Sequence, residues 1–551
     1  MQAQSHAMNG VFSMKINADR LPGVSDLYKD YVNNFDKVAA FYEFDFHHES
    51  SFKNQVEKVQ ARNYPREALG RILHRQNSKF GAGERTFDSI ECLEKNNANV
   101  IITGQQVGLF GGPLFVIYKA LTTIKLAEKL GRTCQNGFVP VFWLASDDSD
   151  FAEVNHVNFI GRDNSLNRAQ LELEHNQKQP MGQTQLTPAI DELFKTFPEY
   201  FHDTEFKSTI LNTLQDAYNS QSSMSDAFAQ WLMFCLKDFG IVLIDPSAPE
   251  IKELVTDIYY HEIKQRSPST TAVINYSEKL QESGYHNQIQ IREGRYNLFY
   301  HSAGRTGLEM QDGAIVSSDS LHTFSEKEML AELQEYPQKF SPNVALRALT
   351  QDTLFPTIAY VAGPAEVAYF AQLKGVYQAF DVPMPIIYPR KSATIIEPAI
   401  DRLLDKFSLD ATDIWQPVDR LFGDIVRGNV PDTFFDAILK LQNEIPGKLS
   451  ALQDEIIKID PTLEKMLQNT AGKIQSSIDN LEKKTVQAAR RKETQIQDQL
   501  TRLADAIYPN QTLQERVLNY VPMMIKYGPE FIEKVYDDLT ISSFDHQLIR
   551  M

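Results

Sequence analysis

The sequence predicts an α/β fold with a parallel-sheet core that carries two inserted segments, followed by a C-terminal α-helical coiled-coil domain. Three observations predict it. Continuous apolar runs alternate with helical patterns between residues 98 and 398, polar stretches interrupt these runs, and the pattern from residue 399 onward is helical. Of the 551 residues, 42% are hydrophobic and 23% are charged. This balance suffices for a large core and excludes disorder as the main state of the chain.

The first elements of the sheet follow a mostly helical N-terminal part, residues 1–97. Residues 99–103 (NVIIT) form a short β-branched apolar run, residues 113–130 carry apolar side chains at helical spacing, and residues 138–145 (FVPVFWLA) form a second apolar run. Strand, helix and strand in this order form a βαβ unit. Its two strands are expected to be parallel, because the helix returns the chain to the same end of the sheet.

Three later runs also resemble buried parallel strands, because residues 240–244, 357–361 and 385–388 are continuously apolar rather than alternating. Polar or glycine-rich residues follow each of the five runs, with the sequences TGQQ, SDDSD, DPS, AGPAE and PRKS. In an open α/β sheet, ligands bind outside the carboxyl ends of the strands. We therefore expect the five strand ends to meet at one cleft that accepts negatively charged groups.

Changes in pattern along the chain give the predicted domain boundaries. The polar intervals are interpreted as insertions between core strands, and the last residues as helices that return to the core. The predicted segments are 1–97 (N-terminal helical part), 98–159 (βαβ unit), 160–225 (first insertion), 226–264 (core), 265–340 (second insertion), 341–398 (core completion), 399–508 (helical, coiled-coil domain) and 509–551 (C-terminal helices).

The predicted coiled coil is an apolar stripe between residues 461 and 509, with steps of three and four residues. Two successive steps of four, through Ala488, Lys492 and Ile496, form a stutter that is expected to unwind the supercoil locally. The stripe fits an antiparallel hairpin, a dimer arm or a helix packed on its own domain.

The charge and the cysteines limit the partners and sites that we expect. The chain has 55 lysine and arginine residues against 72 aspartate and glutamate residues, which gives a net charge of −17. An acidic surface repels phosphate backbones and anionic lipids, so neither nucleic acid nor a membrane is expected as a partner. The three cysteines are isolated, which argues against a cysteine-built zinc site and a disulfide framework. Residues 1–12 are polar and carry no signal-peptide pattern, so we expect a cytoplasmic protein.

The glycine-rich segment after the first strand is the first candidate site. Gly104, Gln105, Gln106, Gly111 and Gly112 lie between a predicted strand and a predicted helix. Glycines let the backbone approach a ligand closely, and a helix start offers unpaired N–H groups. The segment matches neither the dinucleotide-binding fingerprint nor the P-loop. It predicts a cradle for phosphate or carboxylate, with an ordinary glycine-rich turn as the alternative.

The acidic segment at residues 146–156 is the second candidate site. Asp148 and Asp150 follow the second strand, and each is suited to bind a substrate ammonium, to coordinate Mg²⁺ or to act as a general base. The alternative is that these aspartates cap the start of a helix.

Two further candidates belong to the last two strands. Arg390, Lys391 and Ser392 form a turn whose cations can neutralise charge on phosphate oxygens, although an exposed Arg-Lys turn is usually only solvated. Glu366, in the AGPAE segment, and Asn343, upstream of it, are candidates to bind a substrate amine or hydroxyl. A glutamate in the first turn of a helix also stabilises that helix by itself.

Taken together, these segments resemble one known family, the cysteine-adding enzymes of bacillithiol biosynthesis (the BshC family). The similarity runs from about Phe12 to the C-terminus. It is carried by VIITGQQVGLFGGPLFVIYKALTTIKLAEKL, VPVFWLASDDSDFAEVNHV, GIVLIDPSAPE, SPNVALRALTQDTLFPTIAYVAGPAEVAYFAQL and YPNQTLQERVLN.

The resemblance implies a Rossmann-like core with two connecting-peptide insertions and a coiled-coil domain that forms homodimers. It implies a ligase that joins cysteine to glucosaminyl-malate in the last step of bacillithiol biosynthesis. It also implies ATP or ADP as a ligand, with which Mg²⁺ often binds. Tyr508, Asn510 and Arg516 then become candidate nucleotide contacts, although the residues alone explain part of this segment, because Thr512 and Glu515 have the spacing of a capping box.

The combined hypothesis is an ATP-dependent, amide-forming ligase. The cysteine carboxyl must first become an adenylate or an acyl phosphate, because a carboxylate does not acylate an amine unaided. Lys391 with Arg390 would stabilise phosphate charge, and Asp148 or Asp150 would bind the substrate ammonium or accept a proton from the attacking amine. Two alternatives stay open: a nucleotidylyltransferase-like enzyme that condenses another amine and acid, and a non-catalytic binding scaffold.

Overall fold

The computed structural model describes residues 15–95, 98–133, 137–173, 179–302, 304–428 and 431–551, with only the backbone for residues 428 and 489–492. The interpretations of residues 1–12 and of Cys134 lie outside these ranges. The chain divides into two compact units. The first comprises residues 1–395 and 512–549, and the second comprises residues 396–511 and 550–551.

The described residues form fifteen strands. They are β1 (Lys15–Ile16), β2 (Asn99–Gln105), β3 (Phe138–Leu144), β4 (His156–Ile160), β5 (Leu166–Gln170), β6 (Val242–Ile244), β7 (Arg295–His301), β8 (Arg305–Gln311), β9 (Ala314–Ser317), β10 (Thr323–Phe324), β11 (Phe340–Pro342), β12 (Thr357–Ala362), β13 (Ile386–Pro389), β14 (Ala393–Ile396) and β15 (His546–Arg550).

Five of these strands form the parallel sheet at the centre of the first unit, in the order β13-β12-β2-β3-β6. They are the five strands that the sequence predicts, and the continuous apolar runs are explained because almost every strand residue is buried. The chain leaves β2 toward β3 on one side, while β12 pairs with β2 on the other. The strand order therefore reverses between β2 and β12, which is where α/β sheets open a ligand crevice.

Helices cover this sheet, and the helix predicted at residues 113–130 is observed as Phe115–Thr133, in contact with β2 and β3. The helices of at least eight residues in the first unit are Asp26–Asn33, Glu49–Gln60, Arg66–Lys79, Glu84–Lys95, Phe115–Thr133, Ala189–Thr196, Lys207–Ala217, Met224–Leu236, Thr256–Lys264, Pro268–Glu282, Glu326–Glu335, Val344–Leu354 and Glu530–Asp538.

Smaller sheets accompany the core. Strands β4 and β5 form an antiparallel hairpin across the predicted boundary between the βαβ unit and the first insertion. Strands β7 to β11 form an antiparallel sheet in the order β10-β9-β8-β7-β11, which occupies much of the predicted second insertion. The N-terminal β1 pairs with the C-terminal β15, which brings the two ends of the described chain together beside β14.

The second unit is helical, and its long helices pair as an antiparallel hairpin. Its helices of at least eight residues are Pro398–Phe407, Val418–Gly428, Asp432–Ala451, Glu464–Lys492 and Thr494–Ile507. Gln442 donates to Asp479, and further along the chain Gln453 donates to Glu464. Residue numbers rise on one side of the pair while they fall on the other, so the two sides run antiparallel. This arrangement corresponds to the hairpin alternative for the predicted stripe.

The predicted stripe is not one continuous helix, because Glu493 leaves the helical conformation with φ −110° and ψ 39°. The break lies next to the predicted stutter. The helix before the break contacts Asp432–Ala451 and also Val418–Gly428, whereas the helix after it contacts Val418–Gly428 and Pro398–Phe407. A change of packing partner at this point explains why the seam does not continue straight. None of the helices in the described part of the chain has the length and apolar character that a membrane crossing requires.

Candidate active site

A cavity of about 850 Å³ opens at the carboxyl ends of the core sheet. Residues that follow each of the five strands line it: Gln106 after β2, Asp148 after β3, Pro246 after β6, Gly363 after β12 and Arg390 after β13. The expectation that the five strand ends meet at one cleft is therefore confirmed. Its preference for negatively charged groups stays a prediction, which the side chains of the cavity support as follows.

The side chain of Lys119 is hydrogen-bonded to the end of β2. Its buried ammonium donates to the backbone oxygen of Gly104 at 2.7 Å and to Gln105 Oε1 at 3.0 Å, and it pairs with Glu366 Oε2 at 2.5 Å. Burial lowers the pKa of Lys119, and the nearby carboxylate of Glu366 opposes that effect. Sequence reasoning did not select this residue; the available signal was a lysine at a position of a helix that is otherwise apolar.

Glu366 lines the cavity, but much of its carboxylate is engaged by the protein. In addition to Lys119, the hydroxyl of Tyr360 donates to its Oε1 at 2.7 Å and the N–H of Gly363 donates to its Oε2 at 2.7 Å. A carboxylate offers about four acceptor positions, so little capacity remains for a substrate amine. The arrangement favours the alternative in which Glu366 stabilises the first turn of its helix.

The glycines of the first candidate have different surroundings. Gly104 and Gly112 line the cavity, whereas Gly111 does not. A Cβ at Gly111 would lie 2.0 Å from the hydroxyl of Tyr520, and its φ of 83° is in the left-handed region. A Cβ at Gly104 would lie 3.0 Å from the backbone oxygen of Trp143. Gly111 is thus a packing position, and Gly104 and Gly112 remain candidate ligand contacts.

Only one of the two predicted aspartates lines the cavity. Asp148 accepts from Gln106 Nε2 at 2.7 Å, and an Nη1 of Arg305 lies 3.9 Å from its Oδ1. Asp150 is exposed and caps the short helix Phe151–Val154, so the capping alternative holds for this residue. Arg305 comes from the predicted second insertion, and sequence reasoning missed it because that segment had been assigned away from the core.

Arg347 is a second cation of the cavity that sequence reasoning did not select. Its guanidinium donates to the hydroxyls of Tyr369 at 3.2 Å and Tyr360 at 3.4 Å, and to Gln351 Oε1 at 3.4 Å. Among the described residues, no carboxylate lies within salt-bridge distance of it. Burial opposes its charge, but the surrounding tyrosines and Glu366 outweigh burial and raise the pKa of Arg347. Arg347 is therefore a charged donor available to an anionic ligand.

Arg390 lines the cavity and is held by a buried ion pair. Its Nη2 lies 2.7 Å from Glu515 Oε1, and its Nε has no hydrogen-bond partner in the described part of the chain. Glu515 thus has a different role from the predicted capping box with Thr512, and that interpretation is wrong. The helix Gln514–Val517 has Leu513 at its N-cap, and the carboxylate of Glu515 serves the arginine instead.

The structure places Lys391 and Ser392 away from the cavity. Lys391 Nζ donates to the backbone oxygen of Ser543 at 2.8 Å and lies 3.3 Å from the ring centroid of Phe544. Burial holds the pKa of Lys391 well below its ordinary value. Ser392 is hydrogen-bonded to His546 Nδ1 at 2.7 Å. The expected pairing of Arg390 and Lys391 on one phosphate therefore lacks its geometry, because their side chains enter different surroundings.

The remaining candidates divide between the cavity and the second unit. Asn343 lines the cavity, caps the helix that follows it and donates to Asn297 Oδ1 at 2.6 Å. Arg516 is exposed and also lines the cavity. Tyr508 and Asn510 belong to the second unit, where burial raises the pKa of Tyr508 and Asn510 adopts a φ of 52°. Their assignment as nucleotide contacts stays a prediction.

The acidic side chains of the cavity decide whether its residues could hold a metal ion. Within the described ranges, no three side chains of histidine, cysteine, aspartate or glutamate are grouped as ligands for a metal ion. Three carboxylates of the cavity, those of Asp147, Asp148 and Glu366, lie within 4.0 Å of cations of the protein; Oδ2 of Asp147 is 2.5 Å from Lys252 Nζ. The carboxylate of Glu153 accepts from Gln106 Nε2 at 2.9 Å. The residues therefore fit an anionic ligand better than a protein-built metal centre.

Comparison with known proteins agrees with this architecture. The N-terminal Rossmann-like domain of the bacillithiol biosynthesis protein BshC matches residues 14–391, and the C-terminal coiled-coil domain of BshC matches residues 393–551. A relative from Salinibacter ruber is 32% identical over 95% of this chain and 96% of its own length. Another from Chloroherpeton thalassium is 33% identical over 95% of this chain and 96% of its own length. Both are named "Putative cysteine ligase BshC". The chain is therefore a ligase that belongs to the BshC family of bacillithiol biosynthesis.

Proposed function

We propose that the chain joins the carboxyl group of cysteine to the amino group of glucosaminyl-malate in the cavity at the sheet ends. The names of the relatives support cysteine as the substrate. One observation carries the proposal: the ends of all five parallel strands line a single cavity into which Arg347 brings a guanidinium without a carboxylate partner among the described residues. A malate-bearing acceptor supplies carboxylates that such a cation binds.

Arg347 is the proposed anchor of a malate carboxylate. A guanidinium binds a carboxylate through two parallel N–H···O bonds, which fixes orientation as well as position. The tyrosine hydroxyls and the glutamine that contact Arg347 are neutral. They hold the side chain without cancelling its charge, so its attraction for an anion in a partly desolvated cavity is retained.

Arg390 and Asp148 are the proposed groups at the reacting atoms. Arg390 stabilises negative charge on the activated carboxyl group, a role that Lys391 does not share because its ammonium lies elsewhere. Asp148 accepts the proton that the attacking amine loses when the amide bond forms. A bound nucleotide would supply the phosphoryl or adenylyl group that turns a carboxyl oxygen into a leaving group. Both an adenylate and an acyl phosphate are compatible with these roles.

Substitution of Arg347 tests this assignment. We expect Arg347→Met to raise the KM for glucosaminyl-malate by roughly 10- to 100-fold, because a charged hydrogen bond contributes about 1.5–3 kcal/mol. Arg347→Lys should recover part of the loss, since a point charge replaces the two-bond contact. Arg292→Met, which removes an exposed arginine that does not line the cavity, is the matched control.

The assay follows the amide product by mass spectrometry with cysteine, glucosaminyl-malate and ATP. Omission of each component in turn identifies the true substrates. Formation of the amide by the natural chain, with a selective loss in Arg347→Met, supports the proposal. If the natural chain forms no amide, the proposed reaction is wrong. If amide forms and Arg347→Met keeps the KM of the natural chain, only the assigned role of Arg347 is wrong.

We also propose that the helical unit mediates a homodimer. Large apolar side chains are exposed on its long helices and connecting turns. They are Leu439, Leu441, Leu452, Ile459, Met466 and Leu481. Apolar side chains that are left exposed on paired helices can be covered by a second copy of the chain. Light scattering after size-exclusion chromatography should give twice the mass of one chain, and Leu452→Glu with Leu481→Glu should give a monomer.

A further inference from the structure

A second cavity, of about 520 Å³, lies in the first unit and shares no lining residue with the cavity at the sheet ends. Its apolar wall comes from elements far apart in the sequence: Phe52 and Leu126 from two helices, Tyr388 from β13 and Phe544 from the segment before β15. Aromatic rings from several elements provide flat surfaces against which a planar molecule can pack. The volume is within the range of pockets that hold small molecules.

The charges around this second cavity are mainly positive. Lys53 and Lys129 line it, are exposed, and form no ion pair with any described residue. Lys391 lies behind its aromatic wall, with Nζ 3.3 Å from the ring centroid of Phe544 and 5.2 Å from that of Tyr388. In the described ranges, no carboxylate is within salt-bridge distance of this buried ammonium.

Carboxylates also lie near the second cavity, and Asp545, next to Phe544 in the chain, acts on Lys391. Glu49 is the one carboxylate among the residues that line the cavity. His47 also lines it, but His47 Nδ1 is 2.6 Å from the carboxylate of Asp45, and its Nε2 is 3.0 Å from the backbone oxygen of Val32. Among the residues that line the second cavity, the ammonium groups of Lys53 and Lys129 outnumber the one carboxylate, whereas the whole chain has a net charge of −17. Such an excess attracts anions to this place.

We propose that the second cavity binds a small molecule with a planar apolar body and one anionic group, such as an aromatic carboxylate or sulfonate. The aromatic wall buries the planar body, and Lys53 and Lys129 at the rim attract the anionic group. This inference is independent of the ligase reaction, since none of its residues lines the first cavity.

Titration of the natural chain with anilinonaphthalene sulfonate, an aromatic sulfonate whose fluorescence rises in apolar surroundings, tests the proposal. We expect one saturable site. The double variant Lys53→Glu with Lys129→Glu should weaken binding at least about tenfold, because two attractive charges become repulsive. Lys327→Glu with Lys465→Glu changes the net charge equally at exposed lysines outside both cavities and is the matched control.

Two further variants separate the sites. Ser542→Trp, at an exposed residue of the rim, should block binding without a change of charge. Arg347→Met, in the first cavity, should leave the affinity for the probe unchanged. The proposal is overturned if the natural chain shows no saturable binding, or if the double variant and Ser542→Trp both bind as the natural chain does. It is also overturned if Arg347→Met abolishes binding, because the probe would then occupy the first cavity.

Discussion

The ion pair between Arg390 and Glu515 gives a direct test of how the first cavity is held together. The two side chains are 3% and 1% exposed, and Nη2 of the arginine lies 2.7 Å from Oε1 of the glutamate. The same carboxylate accepts from Ser392 Oγ at 2.9 Å and from the N–H of Ala393 at 3.0 Å. Removal of the glutamate leaves a buried guanidinium without its counter-charge. We expect Glu515→Ala to lower the free energy of unfolding of the first unit by about 3–5 kcal/mol.

Urea unfolding followed by tryptophan fluorescence measures this loss. The first unit contains Trp143 and Trp231, both buried, and the second contains Trp415. A Trp415→Phe background therefore restricts the signal to the first unit, which matters because a chain of two units does not unfold in one step. Glu533→Ala, at an exposed glutamate, is the control and should change the free energy of unfolding by less than about 0.5 kcal/mol.

A double variant separates the effect of the unpaired charge from the effect of lost packing. Arg390→Met with Glu515→Leu removes both charges and keeps apolar volume, so it should be much more stable than Glu515→Ala alone. The reasoning is refuted if Glu515→Ala costs less than about 1 kcal/mol. It is also refuted if the double variant is destabilised by the sum of its two single changes.

Three further predictions concern other parts of the first unit. Burial lowers the pKa of His546 from 6.5 to about 4. Between these pH values the imidazole is protonated in the unfolded chain but neutral in the folded chain, so the free energy of unfolding decreases by roughly 3 kcal/mol as the pH falls from 6.5 to 4. In His546→Gln, the free energy of unfolding, measured with urea at several pH values, should not show this decrease. Lys391→Met should keep kcat/KM close to that of the natural chain, whereas Arg390→Met should lower it by about 10²–10³-fold. Equal losses in the two variants would contradict the position of Lys391 outside the first cavity. Gly111→Ala should destabilise by about 1–3 kcal/mol in thermal unfolding, because φ is positive and a Cβ would overlap a tyrosine hydroxyl, while Gly131→Ala, with open space around it, should not.

The parallel sheet could be predicted because its signal is local. Each strand is a continuous apolar run, since both faces of the sheet are covered, and each run ends in polar or glycine residues. Parallel pairing then places all carboxyl ends at one edge without further information. Gln106, Asp148 and Arg390 were found in this way, as residues that directly follow strands.

Residues of the cavity that do not follow a core strand could not be predicted in the same way. Lys119 and Arg347 lie within helices, and Arg305 lies in an antiparallel sheet of a segment that looked like a surface insertion. Their position depends on how these elements pack against the sheet. The hydrophobic periodicity of a segment does not predict that packing. The same limit explains Glu515, because its partner Arg390 is 125 residues away while a local pattern favoured a cap.

The distribution of charge in the cavity shows why one guanidinium is left for the substrate. Lys119 is paired with Glu366, Arg390 with Glu515 and, at a longer distance, Arg305 with Asp148. Among the described buried or half-buried cations of the cavity, Arg347 alone has no carboxylate within salt-bridge distance. Several unpaired cations would destabilise an unliganded cavity, because each desolvated charge costs several kcal/mol. One cation that donates to neutral acceptors costs less, yet it still distinguishes an anionic substrate from a neutral one. A substrate that lacks a carboxylate should therefore lose most of its affinity in the natural chain and little in Arg347→Met.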